Sequence, residues 1–456
     1  MLFVDELTAL VVKANGFIWG LYCLIPLLCG TGLYFTLRLK FVQVRKFGLA
    51  IKYTFGGLTL FGERAGKDGM SSFQAFATAI AAQVGTGNLA GAATAIALGG
   101  PGAIFWMWLA AFCGMATIFA EAVLAQTYKS KDPETGSVVG GPAYYIEKGL
   151  GSKKLAIFFS VAIIIALGFI GNMVQSNSIA DAFNNAFGLN KLVAGVVIAA
   201  IGGFVFFGGL GRIASLTEKL VPVMATFYLL GGLYILVTHA DQLIPAFKMI
   251  FVGAFNPSAA TGGLIGATMK EAMRYGVARG LFSNEAGMGS TPHAHAVAKV
   301  KHPAEQGCVA IASVFVDTFL VLNMTAFVIF VTGAIDGQTS GITLTQKAFT
   351  IGLGSWGLPF IAICMFFFAF STVIGWYFFG EQNVKYLFGQ KGLTPYRVLV
   401  MCFVVLGSAL KLDLVWELAD FFNGIMVFPN LLALIGLAKI VSKSLEDFDE
   451  KGRLKA

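Results

Sequence analysis

Charge is scarce in this chain. Only 12% of its 456 residues are Asp, Glu, Lys or Arg, against 57% hydrophobic, and the mean hydropathy is +0.77. No soluble globular domain needs that balance, and repeated apolar runs of about 20 residues point to an α-helical membrane protein instead. Ten-residue stretches of alternating polarity are missing, which argues against an outer-membrane β-barrel. The six cysteines (Cys23, Cys29, Cys113, Cys308, Cys364, Cys402) form no CxxC pair and fall in apolar runs, so they read as small core residues. The opening Met-Leu-Phe-Val-Asp-Glu has no basic segment ahead of its apolar run. A cleaved signal peptide is therefore not expected, and the first helix should act as an uncleaved anchor. A formal net charge of +8 comes without a basic–aromatic stripe. The lipid bilayer, and not nucleic acid, is the expected partner.

What the chain has in quantity is Phe (43) and Gly (56), the second suited to close packing of membrane helices. Eleven spans are expected, near 15–38, 72–98, 102–127, 154–183, 189–209, 216–239, 261–285, 305–334, 356–386, 394–411 and 414–441. Lys and Arg concentrate on one side, with Arg38, Lys40, Arg45 and Lys46, then Lys129 and Lys131, Lys385 and Lys391, and Lys451 and Arg453. The other side holds only Lys13, Lys191, Lys248, Lys347 and Lys411. The positive-inside bias then predicts an N-terminus outside the plasma (inner) membrane and a cytoplasmic C-terminus.

The expected fold is thus an all-α integral membrane protein of about eleven transmembrane helices. Setting aside an extra N-terminal helix and loop (1–71), two blocks of five remain, 72–240 and 241–441, followed by a cytoplasmic tail, 442–456. Five spans per block give the blocks opposite orientation, a 5+5 inverted repeat in which each block opens with a discontinuous helix, the second and the seventh.

The second helix carries the sharpest signal. Gly85-Thr86-Gly87-Asn88 interrupts a membrane-length apolar run. Glycine weakens a helix interior and polar groups are costly in hydrocarbon, so the backbone should unwind there and line a site; a packing surface in which Gly85 and Gly87 admit a neighbouring helix is the alternative. The amides of Gly85, Thr86, Gly87 and Asn88 would head the outer half-helix and suit a carboxylate. Carbonyls at Ala81, Gln83 and Val84 would end the inner half-helix and suit a cation or an ammonium group. The stretch also matches the dinucleotide pattern GxGxxG/A, but no strand precedes it, and 105–110 is Phe-Trp-Met-Trp-Leu-Ala where an acid is required.

Other groups could line the same site. Asn172 and Gln175 are three residues apart and share a helix face, as substrate contacts or as interhelical glue. The matching break is expected at Gly262–Met269, centred on Gly266, with Ile265, Thr268 and Met269 bounding a small pocket or simply packing. Asp317 lies inside the eighth span; its partner would be a second cation near Asn88, or Lys270, Arg274 or Arg279. Trp376 would close over the substrate or pack. Glu121 reads as structural. His293 and His295 lack companions at metal-ligand spacing. No nucleophile–base–orienter set is visible, so the chain is not expected to be an enzyme.

Three stretches carry a resemblance: Gly99-Gly100-Pro101-Gly102-Ala103-Ile104-Phe105-Trp106-Met107-Trp108-Leu109, Gly280-Leu281-Phe282-Ser283-Asn284-Glu285-Ala286-Gly287-Met288-Gly289-Ser290, and Gly140-Gly141-Pro142-Ala143-Tyr144-Tyr145. They resemble the signatures of the sodium:alanine symporter family, the alanine or glycine:cation symporters. The resemblance runs over nearly the whole chain. It implies a fold of the leucine-transporter type and uptake of alanine or glycine coupled to sodium (Na+), or to a proton (H+) in its place. It further implies a sodium held by carbonyls of Ala81, Val84 and Phe368 and hydroxyls of Ser371 and Thr372. Hydroxyls bonding back to carbonyls one turn earlier are the alternative. From the residues themselves, 280–290 reads as a cytoplasmic linker with conformational duties. The functional alternative to a symporter is an ion channel or uncoupled pore.

Overall fold

The computed structural model describes residues 2–20, 22–56, 69–262, 266–410 and 412–453. They form an all-α bundle. The two strands among them, β1 (Ser130–Lys131) and β2 (Val138–Val139), pair antiparallel in one small hairpin. Six stretches are long and apolar enough to cross a membrane by length and composition, the longest being Gly341–Ala409, which holds three consecutive helices. The outer surface carries exposed Phe204, Leu230, Val237 and Ile244, an apolar jacket suited to lipid.

The first apolar run is divided, giving α1 (Leu2–Ile18) and α2 (Leu24–Arg38) where one span over 15–38 is expected from the sequence. Short α3 (Val42–Arg45) and α4 (Phe47–Phe55) follow. The next apolar run starts sharply because Ser71 caps α5 (Ser72–Gln83). Ser71 Oγ accepts the Gln74 amide at 3.1 Å, and Gln74 Oε1 accepts the Ser71 amide at 3.0 Å. A π-helical turn (Gly87–Gly91) then leads into α6 (Ala92–Gly99). The long α7 (Ala103–Thr127) and α8 (Pro142–Leu150) precede α9 (Lys153–Ile163), which continues through a second π turn (Ile164–Gly171) into α10 (Asn172–Phe187). Next come α11 (Lys191–Phe206), α12 (Gly209–Thr238), α13 (Leu243–Phe255) and α14 (Pro257–Ala260).

The second half contains α15 (Met269–Asn284), α16 (Pro292–Ala296) and α17 (Pro303–Val314), the last passing through a third π turn (Phe315–Leu322) into α18 (Asn323–Val331). Then follow α19 (Gly341–Leu353), α20 (Gly357–Phe388), α21 (Leu393–Ala409), α22 (Leu412–Gly436) and α23 (Ala438–Arg453). Of the described helices wholly outside the expected spans, α13 and α19 are the longest. Each is 13 residues, about 20 Å at 1.5 Å per residue, too short to register as a span of a core about 30 Å thick. The last expected span also ends early: α22 stops at Gly436 and α23 is a separate amphipathic helix.

Each π turn holds or directly precedes a buried polar side chain: Asn88 in the first, Asn172 after the second, Asp317 in the third. A π turn frees backbone groups from the regular ladder and is frequent at functional sites. Glycines bring the surrounding helices close. A Cβ on Gly375 of α20 would lie 2.8 Å from the Cβ of Ala82 on α5. A Cβ on Gly102 would overlap the Gly253 carbonyl of α13.

That last crossing is directly testable. Gly102→Ala is expected to destabilise the protein by about 1–3 kcal/mol through overpacking. Gly30→Ala in α2, where a Cβ meets nothing within 4 Å, should leave stability unchanged or slightly raised. Thermal unfolding of the detergent-solubilised proteins, followed by intrinsic fluorescence, measures both. Equal midpoints for the two variants would refute the tight crossing.

Candidate functional site

The first interruption falls where the sequence places it. α5 ends at Gln83, Val84 leaves helical geometry (φ −82°, ψ 89°), and the π turn begins at Gly87. Its glycines answer to close neighbours. A Cβ on Gly85 would overlap Thr372 Oγ1 of α20, and one on Gly87 would sit 2.9 Å from the Ser283 Cα of α15. The freed amides find side-chain acceptors: Gly85 N–H donates to Asn88 Oδ1 (3.0 Å) and Thr86 N–H to Gln175 Oε1 (3.2 Å).

The second interruption lies elsewhere than expected. Gly262 and Gly266 are exposed on the approach to α15, whose first turn is closed by a capping box between Thr268 and Glu271. Thr268 is exposed and Met269 is 44% exposed, so neither lines a buried pocket, and Ile265 lies outside the described residues. The break comes after Asn284, where Glu285, Gly287 and Gly289 all take positive φ (58°, 92° and 79°) before α16 starts at Pro292. The stretch 283–296 is buried throughout and is no peripheral linker. Its signal in the sequence is Gly287-Met288-Gly289, a second glycine pair spaced like Gly85 and Gly87, beside Asn284 and Glu285. Locally, Ser283-Asn284-Glu285 reads as a capping pattern instead.

The two broken helices run past each other in opposite directions. Gly99 packs on Ala272, Gly87 on Ser283, and Gln83 Nε2 donates to the Asn284 carbonyl at 2.7 Å. Beyond them, the Met70 amide donates to the Val297 carbonyl at 3.0 Å. Numbers rise along one helix as they fall along the other.

Three buried carboxyl groups surround this junction. Asp317 Oδ1 accepts from Asn88 Nδ2 (2.7 Å) and Ser283 Oγ (2.9 Å), and Oδ2 accepts from Thr318 Oγ1 (2.9 Å). Arg279, a partner considered for it, instead pairs with Asp420 at 2.7 Å. Glu285 Oε1 accepts the Trp376 indole N–H at 2.5 Å, and Oε2 accepts Ser290 Oγ–H. Glu121 accepts the amides of Gly287 (3.0 Å) and Gly289 (2.9 Å) together with Asn430 Nδ2 (2.6 Å). Asn430 also donates to the Gly287 carbonyl (2.9 Å), and its Oδ1 accepts the Tyr145 hydroxyl. Sequence reasoning passes over both glutamates as site residues. Glu121 clamps the unwound turn in the manner of an anion in a backbone nest.

The five oxygens assigned to a cation by resemblance come together. Thr372 Oγ1 lies 2.9 Å from the Ala81 carbonyl oxygen, 3.4 Å from that of Val84 and 3.1 Å from that of Phe368. Ser371 Oγ lies 3.2 Å from the Ala81 oxygen and 2.8 Å from that of Phe368. All five residues are fully buried. The back-bonds to Phe368 belong to the ordinary helical pattern, but those to Ala81 and Val84 cross from α20 to the broken helix. Neutral hard oxygens at this spacing fit a monovalent cation such as sodium.

Around them, four buried polar atoms have no protein partner: Gln83 Oε1, Thr86 Oγ1, Asn172 Oδ1 and Gln175 Nε2. Buried polar groups are rarely left so, and four of the expected substrate contacts therefore carry spare hydrogen-bonding capacity. Asn172 Nδ2 is engaged by its own helix at the Gly168 carbonyl (3.0 Å). Trp376 is pinned between Glu285 and an edge-on contact with Phe282, over Gly171, where a Cβ would meet its ring at 2.6 Å. His293 is stacked between Phe159 and Phe379, with its ring nitrogens at the Ser290 carbonyl and Asn383.

The model of the sodium:alanine symporter family matches residues 4–456. The chain is 44% identical over 453 residues to the sodium/alanine symporter AgcS of Methanococcus maripaludis, covering 98% of each. It is 43% identical over 437 residues to a probable sodium/glutamine symporter, GlnT, of Bacillus subtilis, covering 95% of this chain and 89% of that one. It is 41% identical to YrbD of the same organism, a putative sodium/proton-dependent alanine carrier protein, over 97% of this chain and 92% of that one. A crystal structure of a mutant manganese transporter from Eremococcus coleocola superposes with a TM-score of 0.51 at 15% identity, covering 78% of this chain and 76% of that one. This is a likeness of fold alone.

The Glu121 clamp predicts a stability effect. Glu121→Ala strands the Gly287 and Gly289 amides, at about 1–3 kcal/mol for each buried group left unpaired. The thermal midpoint should fall well below that of the parent, and Asn430→Ala should fall less. A midpoint unchanged in Glu121→Ala would show that the turn does not need the carboxylate.

Proposed function

The chain belongs to the sodium:alanine symporter family, and from that premise we propose that its two facing helix interruptions form one site for sodium and a small amino acid. Membership makes it a sodium-coupled secondary transporter of a small neutral amino acid, working in the bilayer and not as an enzyme. In our reading, the Ala81, Val84 and Phe368 carbonyls and the Ser371 and Thr372 hydroxyls hold the cation. Those hydroxyls turn their lone pairs inward when it binds.

The substrate carboxylate then takes the Gly85 and Thr86 amides, displacing Asn88 Oδ1 and Gln175 Oε1, which hold its place at 3.0 and 3.2 Å. Gly87 and Asn88 complete the head of the half-helix. The ammonium group has acceptors in Gln83 Oε1, Thr86 Oγ1 and Asn172 Oδ1. Trp376, bonded to Glu285, bounds the far side.

One observation carries the coupling. The Val84 carbonyl faces Thr372 Oγ1, and the Gly85 amide faces Asn88 Oδ1, whose place the substrate carboxylate would take. These are the two ends of one peptide unit. A cation on the oxygen polarises the N–H, so each ligand strengthens the other's hold, and the coupling is reciprocal.

The antiparallel passage of the two broken helices supports an inverted repeat of 72–240 and 241–441 within eleven spans. We further infer an N-terminus outside and a tail at 442–456 in the cytoplasm, from the distribution of Lys and Arg.

Radiolabelled alanine uptake into proteoliposomes under an imposed sodium gradient tests this reading. Uptake should vanish without sodium, and saturable counterflow should distinguish a carrier from a pore. Thr372→Ala should raise the sodium concentration for half-maximal uptake by about tenfold, equivalent to about 1.4 kcal/mol. Sodium dependence unchanged in Thr372→Ala, or no uptake of any small amino acid by folded protein, would overturn the site.

A further inference from the structure

A groove of about 820 Å³ opens on the outer face of the bundle between α11, α12 and α20. Its walls are unlike one another. Ile201, Phe204, Leu216 and Phe370 make an apolar lining, while Arg212 and Lys219 make a basic edge, and no carboxylate lines it. The two cations are seven residues apart on α12, two helical turns, and therefore share a face.

Both cations reach the surface of the groove. The Arg212 guanidinium lies 4.3 Å over the Phe204 ring, and Nη1 donates to the Phe204 carbonyl. This holds the planar fork beside the groove with further N–H groups to offer. Neither Arg212 nor Lys219 has an ion pair among the described residues. The first turn of α12 has no side-chain cap, so its free amides and positive dipole end add to the same edge. At the apolar end, Phe370 is the neighbour in sequence of Ser371, and Ser371 Oγ also touches Met224 Sδ of α12 at 3.5 Å.

We propose that this groove binds one anionic phospholipid, its phosphate between Arg212 and Lys219 and an acyl chain along Ile201, Leu216 and Phe370. The combination selects the ligand. Two unpaired cations require an anion, and a zwitterionic headgroup would bring an ammonium that finds no carboxylate. A free phosphate would use the basic edge and leave the apolar wall bare. Only a charged head joined to a hydrocarbon tail matches both walls, and the bilayer presents that molecule to this face. The bound lipid would lie between α12 and α20, whose contact at Met224 and Ser371 adjoins the cation oxygens.

Native mass spectrometry of the full chain in detergent, titrated with phosphatidylglycerol, phosphatidylcholine or inorganic phosphate, tests the assignment. Phosphatidylglycerol should give one retained adduct at concentrations where phosphatidylcholine and phosphate give none. The double variant Arg212→Ala, Lys219→Ala should weaken that adduct about ten- to thirty-fold, at about 1 kcal/mol per basic residue near a membrane surface. Arg212→Lys with Lys219→Arg, which keeps both charges, should retain it. Equal binding of the two lipids, equal binding by the parent and the alanine variant, or phosphate binding as tightly as the lipid would each overturn the proposal. None of these outcomes depends on whether the sodium site is correctly drawn.

Discussion

Backbone that leaves helical geometry inside a membrane has no water to turn to, and the rest of this structure is arranged around that constraint. Among the described residues the chain breaks twice inside the bundle, at Val84–Thr86 and at Glu285–Thr291. Each break is satisfied by side chains, in part from other helices. Asn88 and Gln175 take the first pair of amides, and Glu121 takes the amides of Gly287 and Gly289. Asn430 braces Glu121, and Tyr145 braces Asn430. The polar residues scattered through otherwise apolar spans are largely the partners of these two interruptions.

The two breaks are held by acceptors of different kinds. The first uses neutral amide oxygens, which an anionic substrate group can replace at small cost. The second uses one carboxyl group on which two amides and an asparagine converge. The first turn is therefore suited to exchanging partners during a transport cycle, and the second to keeping them. This is why the binding chemistry is assigned to Gly85 and Thr86, and a positioning duty to Glu121.

Much of this is legible in the sequence, for a physical reason. A Gly-Thr-Gly-Asn cluster in a run of alanines and other apolar residues departs so plainly from the rule for membrane helices that a break is the first expectation. Asn172, Gln175 and Asp317 announce themselves the same way, as polar groups out of place. The second break hides because its surroundings, Gly280 to Ser290, are small and polar enough to pass for a linker, and because Gly262, Gly263 and Gly266 offer a more obvious cluster nearby. A glycine cluster marks an exposed approach as readily as an interruption, and only burial separates the two. Glu121 and Glu285 escape for a related reason: their worth lies in amides and an indole far away in sequence, contacts that no local pattern records.

The carboxyl groups at the junction are held by neutral donors. Glu121, Glu285 and Asp317 lie wholly inside the protein around one junction, and the groups bonded to their oxygens are amides, hydroxyls and an indole. Arg279 does not join them, since it is committed to Asp420. On the site proposed above, a cation at the five oxygens of Ala81, Val84, Phe368, Ser371 and Thr372 would sit at one end of the Val84–Gly85 peptide and the substrate carboxylate at the other. The sodium requirement would then act through that peptide unit, with no need of direct contact between ion and amino acid.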